Sequence, residues 1–279
     1  MLRRIFDLLL FTSLFIAGCA ALMVYQVNDL FQLKYAFQPY GWFVFFSTIC
    51  SYNFHWYLTP HATSENRRIL WTQNHKRLHL SLMVSSSIAA GIFSLSLIDH
   101  WFWLGISVLL TFLYSAPKLP FHFVDFFRKI AVGKTIFLAL VWTYVTAILP
   151  ILLSQEHWNS SHVLFCTGRF FLIYAICIIF DFRDREQDRR EGIKSMITYF
   201  NEVGINILFY SSIIIFLISE IALYYYDFSI MMIIVLILPG FIVSGLYKYS
   251  KKNFSDYLYY FVLDGLMALS ALFTSFLSF

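Results

Sequence analysis

Long apolar runs recur along the whole chain, and they constrain its fold more than any other feature of the sequence. An apolar helix of about 20 residues crosses the hydrocarbon core of a bilayer, so each run is a candidate span. Nine runs can be read, at roughly 5–25, 39–58, 78–98, 101–116, 135–153, 163–181, 203–224, 229–247 and 257–278. The sequence therefore predicts an all-α fold, a polytopic membrane helix bundle of about nine transmembrane helices that forms a single domain over 1–279. The fourth run is short for a span, and we expect it to be tilted or eased by its neighbours.

The composition favours a membrane protein over a soluble domain. Hydrophobic residues make up 59% of the chain and charged residues 13%, whereas a soluble domain carries about 25% charged residues. The formal net charge of +4 does not indicate nucleic-acid binding, because the basic residues are not gathered in one domain. We therefore expect the lipid bilayer as a partner and no nucleic acid, and the sequence identifies no protein partner.

The distribution of basic residues predicts the orientation of the chain. Cytoplasmic loops of membrane proteins carry an excess of Lys and Arg. With the amino terminus in the cytoplasm, 18 of the 20 Lys and Arg residues fall on that side: Arg3, Arg4, Arg67, Arg68, Lys76, Arg77, Lys118, Arg128, Lys129, Lys134, Arg183, Arg185, Arg189, Arg190, Lys194, Lys248, Lys251 and Lys252. The sequence thus predicts a cytoplasmic amino terminus and a carboxyl terminus outside, and the expected location is the bacterial inner (plasma) membrane.

A highly charged stretch follows the sixth apolar run. Asp181, Asp184 and Asp188 are spaced i, i+3 and i+7, so a helix would place all three carboxylates on one face. Such carboxylates repel one another unless a cation lies between them, and oxygen-only ligands suit a hard ion such as Mg²⁺. The spacing predicts one Mg²⁺ site at most. The nearby basic residues would offer donors to an anionic ligand, and they are Arg183, Arg185, Arg189, Arg190 and Lys194. The alternative is a solvated, salt-bridged helix end beside a membrane span.

Two further basic positions are candidates for a role in binding. Arg169 lies inside the sixth run, where an ionisable group is expensive and usually faces a cavity. It is a candidate for binding phosphate or pairing with an acid, and the alternative is snorkelling or a structural ion pair. Arg68, Trp71 and His75 share a helical spacing that predicts a short interfacial helix binding anionic lipid headgroups, in preference to a substrate role.

Three motifs resemble those of the UbiA superfamily of intramembrane prenyltransferases. They are a Tyr-Ser-x-Pro loop that begins at Tyr114, a Gly-Lys-Thr entry to the fifth run around Lys134, and the pattern Asp-x-x-Asp-x-x-x-Asp-x-x-x-Gly-Ile-Lys from Asp181 to Lys194. The number of spans and their predicted orientation agree with this family. The resemblance covers nearly the whole chain and is specific across about 110–200.

The resemblance implies a UbiA-like bundle of nine helices around a cavity that is open to lipid. A polyprenyl diphosphate or a related isoprenoid lipid would be held there through Mg²⁺, and its prenyl group would be transferred to an acceptor that the sequence does not identify. On the family's pattern, Asp181, Asp184 and Asp188 would hold the metal, and Tyr114 and Lys134 match positions on the diphosphate side. The candidate substrate-binding residues are Asn53, Tyr114, Lys134, Arg169, Arg185 and Lys194, and no catalytic residue is assigned.

The family's first Asp-rich motif, at the end of the second run, is lost in this chain. Asn53 matches the motif's Asn, but Phe54, Tyr57 and His61 stand at its three Asp positions. A second Mg²⁺ cannot be held there in the family's manner, because imidazole prefers softer metals. A prenyltransferase therefore competes with a second hypothesis, a catalytically degenerate UbiA-like membrane protein that binds an isoprenoid or other lipid or serves as a scaffold.

Overall fold

The computed structural model describes residues 2–59, 67–115, 134–190 and 200–277, and all regular secondary structure in these ranges is helical. In chain order the α-helices are α1 (Leu2–Phe11), α2 (Leu14–Phe31), α3 (Phe37–Tyr57), α4 (Arg67–Asn74), α5 (Lys76–Leu95), α6 (Trp101–Ser115), α7 (Lys134–Thr143), α8 (Leu149–Leu153), α9 (Ser160–Arg190), α10 (Glu202–Ala222), α11 (Ile230–Ser250) and α12 (Asp264–Leu277). Two π-helical turns (Tyr144–Ile148 and Leu258–Leu263) and two 3₁₀ turns (Ile98–His100 and Leu223–Tyr226) adjoin them. The predicted all-α fold is confirmed.

Seven helices among the described residues are long and apolar enough to cross a membrane. They are Leu14–Phe31, Lys76–Leu95, Thr135–Leu153, Ser160–Arg185, Glu202–Tyr226, Ile230–Ser250 and Leu258–Leu277. The other two predicted runs also lie in helices, but these do not reach the same measure. Helix α3 has the length, and its Tyr, Trp, Asn and His side chains lower its mean hydropathy, while the apolar helix Ile98–Tyr114 is shorter. The chain is thus a polytopic helical bundle with the character of a multi-pass membrane protein.

The first apolar run is divided into two helices, which the sequence did not predict. Ser13 adopts the left-handed conformation, with φ of 66°, and this ends α1 before α2 begins at Leu14. Helix α1 has 10 residues, about 15 Å of helix, which is too short to cross the hydrocarbon core. The candidate span is therefore α2, and the predicted boundaries of 5–25 are wrong for it.

The spans pack in an order that closes the bundle. Helix α2 contacts α3 on one side and α12 on the other, and α3 packs extensively on α5. Helix α6 packs between α3 and α7. From α7 onward, each helix of the series α7, α9, α10, α11 and α12 packs on the next, and α12 packs on α2. Helix α9 is the most buried of the seven candidate spans, whereas α5 buries least and exposes Val84, Ile88 and Ile92. A lipid environment suits such exposed apolar faces.

Helices α10 and α11 each begin at a side-chain cap, and a tight hairpin joins them. Asn201 caps α10 by accepting a hydrogen bond from the amide of Gly204 at 2.8 Å, and Ser229 caps α11 in the same way. Asp227 makes the turn in the left-handed conformation. The two helices approach closely at Gly240, because a Cβ there would lie 2.3 Å from Cε1 of Phe216. Small residues commonly allow such close approaches between membrane helices.

Helix α9 carries the predicted metal residues. It has 31 residues, about 46 Å of helix, against a hydrocarbon core of about 30 Å. Its charged end, from Asp181 to Arg190, therefore extends beyond the hydrocarbon if the helix spans the membrane. The prediction that Asp181, Asp184 and Asp188 lie on a helix is therefore confirmed.

Candidate functional site

Two arginines that are far apart in the sequence, Arg68 and Arg183, lie against the ring of Tyr260. The guanidinium carbon of Arg68 is 3.9 Å from the centre of that ring, and that of Arg183 is 4.5 Å from it. The ring of Trp56 also contacts Arg68, at 4.1 Å, and that of Tyr259 contacts Arg183, at 5.1 Å. Cations over aromatic rings in a desolvated setting are strongly held. We call this group, Trp56, Arg68, Arg183, Tyr259 and Tyr260, the arginine site.

Arg183 is only partly satisfied by its acid partner. Its Nη2 donates to Oδ1 of Asp256 at 2.6 Å, and 6% of its side chain is exposed. Its Nη1 is buried and has no hydrogen-bond partner among the described residues. A buried donor without an acceptor costs about 1–3 kcal/mol, and more in a charged group. Arg183 is therefore placed to donate to an anionic ligand.

Arg68 is buried deeply, although it belongs to a short helix outside the candidate spans. It is 3% exposed, and its Nη2 lies 3.5 Å from Oγ of Ser13, at the break between α1 and α2. Burial lowers the pKa of Arg68 from its usual value, but a guanidinium titrates far above neutral pH and stays charged. The predicted short helix is confirmed as α4, but its Arg68 faces the bundle interior and not a lipid surface.

Helix α4 is held in place by its other arginine. Arg67 forms a salt bridge with Asp7 of α1 and donates from Nη1 to the hydroxyl of Tyr257 at 3.0 Å. That hydroxyl in turn donates to Oδ1 of Asp7 at 2.7 Å. The hydrogen bond with Tyr257 raises the pKa of Arg67. This triad fixes α4 against α1 and the start of the last span, which positions Arg68.

The three predicted metal residues are differently placed. Asp181 is 5% exposed and accepts a hydrogen bond from Oγ1 of Thr135 at 2.6 Å, so it links α9 to the start of α7. Asp184 is half-buried one turn further on, next to Arg183. Asp188 lies within α9, and its side chain is outside the described residues. No group of three His, Cys, Asp or Glu side chains in the described ranges is arranged to hold a metal ion.

Asn53 is a structural junction in this arrangement. It is fully buried, and its Nδ2 donates to the carbonyls of Thr12 and Ile49 at 2.9 and 2.8 Å. Its Oδ1 lies 2.6 Å from Nδ1 of His79 on α5. The amide thereby binds a carbonyl in the break between α1 and α2, and it joins that break to α3 and α5.

The other residues matched to the prenyltransferase motifs are partly described. Tyr114 stacks on His55, with ring centres 5.5 Å apart and planes at 19°. Lys134 begins α7, but its side chain is outside the described residues, and Lys194 lies in the undescribed range 191–199. Their predicted contacts with the diphosphate remain predictions.

Arg169 lies in the interior of the bundle, 12 residues before Asp181 and about 18 Å along the helix from it. Its Nη1 donates to the carbonyls of Met23 and Thr146 at 3.0 and 3.1 Å, and its Nη2 donates to Oε1 of Gln26 at 2.5 Å. The carbonyl of Thr146 is in the π-helical turn, where the regular helix hydrogen bonds are altered. Both terminal nitrogens of the guanidinium thus donate to acceptors within the protein. This supports a structural role for Arg169 over a role in binding phosphate.

Arg185 faces a different part of the molecule from Arg183. It is exposed and lines a cavity of about 730 Å³ formed by the end of α9, the start of α10 and the end of α11. The structure therefore separates Arg185 from the arginine site, although the two arginines are two residues apart.

Sequence reasoning missed several residues of the arginine site. Arg183 was named only as one of five basic residues around the Asp cluster that could donate to an anionic ligand, and Arg68 was given a surface role. Asp264, 9% exposed at the start of α12, interacts electrostatically with both arginines and was not noticed. The available signal was an acid inside an apolar run, preceded by Asp256 and a cluster of tyrosines.

Comparisons with protein-family models, with curated proteins and with solved structures find no match to this chain.

Proposed function

We propose that this protein is an integral membrane prenyltransferase-type protein, similar to the UbiA superfamily, which binds a polyprenyl diphosphate at the arginine site. The observation that carries the proposal is the buried Nη1 of Arg183, which has no acceptor in the described part of the chain. A diphosphate oxygen would supply that acceptor. Arg guanidinium groups bind phosphate through strong, charge-assisted hydrogen bonds.

The surroundings of Arg183 suit both the diphosphate of such a ligand and the allylic cation that forms when the diphosphate leaves. Arg68 adds a second fixed positive charge at the same ring, where diphosphate charge would develop as the ligand ionises. Trp56, Tyr259 and Tyr260 add aromatic faces, which stabilise a cation. In the proposed reaction the allylic C–O bond breaks and its electron pair leaves with the diphosphate. The acceptor then forms a bond to the allylic carbon and loses a proton.

One Mg²⁺ is part of this proposal. Asp184 and Asp188 are the residues that would hold it, together with phosphate oxygens and water, because Asp181 already accepts from Thr135. When bound, the ion neutralises charge on the leaving diphosphate. The lost first Asp motif leaves no carboxylate at the end of α3, and Trp56 there contacts Arg68 instead. In this proposal Arg68 supplies the positive charge beside the diphosphate that a second metal ion would otherwise supply.

The finer topology belongs to the same proposal. Helix α3 and the helix Ile98–Tyr114 would cross the membrane in addition to the seven candidate spans, which gives nine. Both pack between candidate spans, α3 between α2 and α5, and α6 between α3 and α7. The amino terminus would be cytoplasmic and the carboxyl terminus outside, in a bacterial inner (plasma) membrane, so the arginine site would face the cytoplasm.

A catalytically degenerate isoprenoid- or lipid-binding protein is the second candidate. The observation in its favour is that Asn53 and Asp181, which match the two metal motifs, both form hydrogen bonds with other residues of the protein. Binding of a polyprenyl diphosphate without product, across a panel of aromatic acceptors, would favour this candidate over the enzyme.

Binding to purified protein with a matched pair of variants tests the proposed site. Arg183→Lys keeps the charge beside Asp256 but loses the planar fork, so the affinity for a polyprenyl diphosphate should fall about tenfold. Arg185→Lys is the control, because its side chain lines a separate cavity, and its affinity should be unchanged. Equal affinities in the two variants would contradict a role for Arg183.

A further inference from the structure

A cavity lies near the arginine site at the end of α9, and the proposed function does not use it. It has a volume of about 730 Å³ and lies between the end of α9, the start of α10 and the end of α11. Four basic side chains and several aromatic rings line it. The residues that matter here are Phe182, Arg185, Tyr247, Lys248, Lys251 and Lys252, and we call this cavity the basic groove.

Positive charge predominates in the basic groove. Its lining has four basic residues and a single acid, Glu202, in the described part of the chain. Arg185, Lys248 and Lys252 are exposed, so their charges are available to a ligand that enters from the surface. A concave site lined by one sign of charge attracts ligands of the opposite sign.

Lys251 is built into the wall of the groove. Its Nζ lies 2.8 Å from Oδ1 of Asn206 and 3.2 Å from Oε1 of Glu202, whose side chain is 77% exposed. The same ammonium lies 4.6 Å from the ring centre of Phe182 and 4.5 Å from that of Tyr247. Tyr247 is itself fixed by a hydrogen bond to Asn206 at 2.7 Å. One cation is therefore held at a set position, while the other three are exposed at the mouth of the groove.

The groove adjoins an exposed apolar surface of α10 and α11. Lys248 lies in the last turn of α11, a candidate span, and Lys252 follows that helix by two residues. Tyr210, which also lines the groove, is 42% exposed. On either side of it along α10, Ile207 and Ile214 are 63% and 55% exposed, and Phe241 of α11 is 58% exposed. A ligand with a phosphate and long acyl chains would find charge in the groove and apolar surface beside it.

We propose that the basic groove binds the phosphate headgroup of an anionic phospholipid, with its acyl chains along the exposed faces of α10 and α11. Basic clusters beside membrane helices bind such headgroups, and each cation near the surface strengthens binding severalfold. A soluble phosphate compound shares the headgroup chemistry but would gain nothing from the apolar faces. Affinity for the lipid should therefore exceed affinity for free phosphate.

Lipid retention by the full chain tests this proposal. The protein is reconstituted in nanodiscs of equal parts phosphatidylcholine and phosphatidylglycerol. It is then released from the nanodiscs in the mass spectrometer, and native mass spectrometry counts the lipids of each kind that stay bound to it. Wild type should retain phosphatidylglycerol in preference to phosphatidylcholine. The double variant Lys248→Gln/Lys252→Gln should bind it roughly 20-fold more weakly. Both positions are exposed, so folding should be retained, and gel filtration checks this.

The control removes the same charge elsewhere. Lys76→Gln/Arg77→Gln changes two basic residues at the start of α5, outside the groove, and should keep the wild-type preference. Equal loss in both double variants, or no preference in wild type, would overturn the proposal. Displacement of phosphatidylglycerol by millimolar inorganic phosphate would also overturn it, since the ligand would then be a soluble phosphate.

Discussion

Oδ1 of Asn53 lies 2.6 Å from Nδ1 of His79, and this buried contact joins α3 to α5. Because Nδ2 of Asn53 already donates twice, its Oδ1 must accept, and Nδ1 of His79 must carry the proton. Nε2 of the same imidazole is buried and has no hydrogen-bond partner among the described residues. The residue that matches the lost metal motif thus serves the packing of the bundle.

Removal of the Asn53 amide should destabilise the bundle. Asn53→Ala leaves the carbonyl of Thr12 and Nδ1 of His79 buried without partners, so the free energy of unfolding should fall by about 2–4 kcal/mol. Thermal unfolding in detergent measures this. Asn74→Ala is the control, because Asn74 is exposed at the end of α4 and should change stability by less than about 0.5 kcal/mol. Equal effects at the two positions would contradict the structural role.

Close packing of α9 on α10 gives a second test. A Cβ at Gly168 would lie 2.3 Å from Oε1 of Glu220, which is 3% exposed. Gly168→Ala should therefore lower the free energy of unfolding by about 1–3 kcal/mol, although Ala favours a helix more than Gly does. Gly91→Ala on α5 meets no atom within 4 Å and should be neutral or stabilising.

The cause of the Gly168 effect can be isolated with a double variant. If the clash with Glu220 is responsible, Glu220→Ala should make room, and Gly168→Ala should then cost less in that background than in wild type. An unchanged cost in the Glu220→Ala background would show that the carboxylate is not what the added methyl group meets.

Reporter fusions test the proposed nine-span topology. Fusions after residues 65, 125, 188 and 250 should report the cytoplasm, and fusions after 157 and 279 should report the far side, because of the distribution of Lys and Arg. A reporter at 279 that is active in the cytoplasm would contradict the orientation and would place the arginine site on the wrong side for the proposal.

The helical elements were predictable because apolar runs leave a strong signal. The break at Ser13 was not, since the apolar run continues through it, and a left-handed residue has no hydropathy signature. The helix at Arg67–Asn74 was predicted from its spacing, and its burial was not. Trp56 and Tyr260, which enclose Arg68, are 204 residues apart in the sequence, and only their tertiary contact removes Arg68 from the surface.

The candidate site shows a similar limit. The spacing of Asp181, Asp184 and Asp188 correctly indicated a helix, because that pattern is local. Whether a carboxylate is free for a metal depends on other elements, and the bond from Thr135 to Asp181 could not be read from spacing. The separation of Arg183, which packs on the ring of Tyr260, from Arg185, which lines a cavity, likewise arises from how α9 packs on its neighbours.

Dependence of ligand binding on Mg²⁺ tests the central claim most directly. A polyprenyl diphosphate is titrated into purified protein with and without Mg²⁺, for wild type and for Asp184→Asn. Wild type should bind at least about tenfold more tightly with the ion, since ion and diphosphate complete each other's coordination. Asp184→Asn should fold normally, because Asp184 is half-buried near the helix end, and its binding should no longer respond to Mg²⁺. If wild type binds no diphosphate with or without Mg²⁺, the acidic end of α9 is only a charged helix end, and the proposed function is wrong.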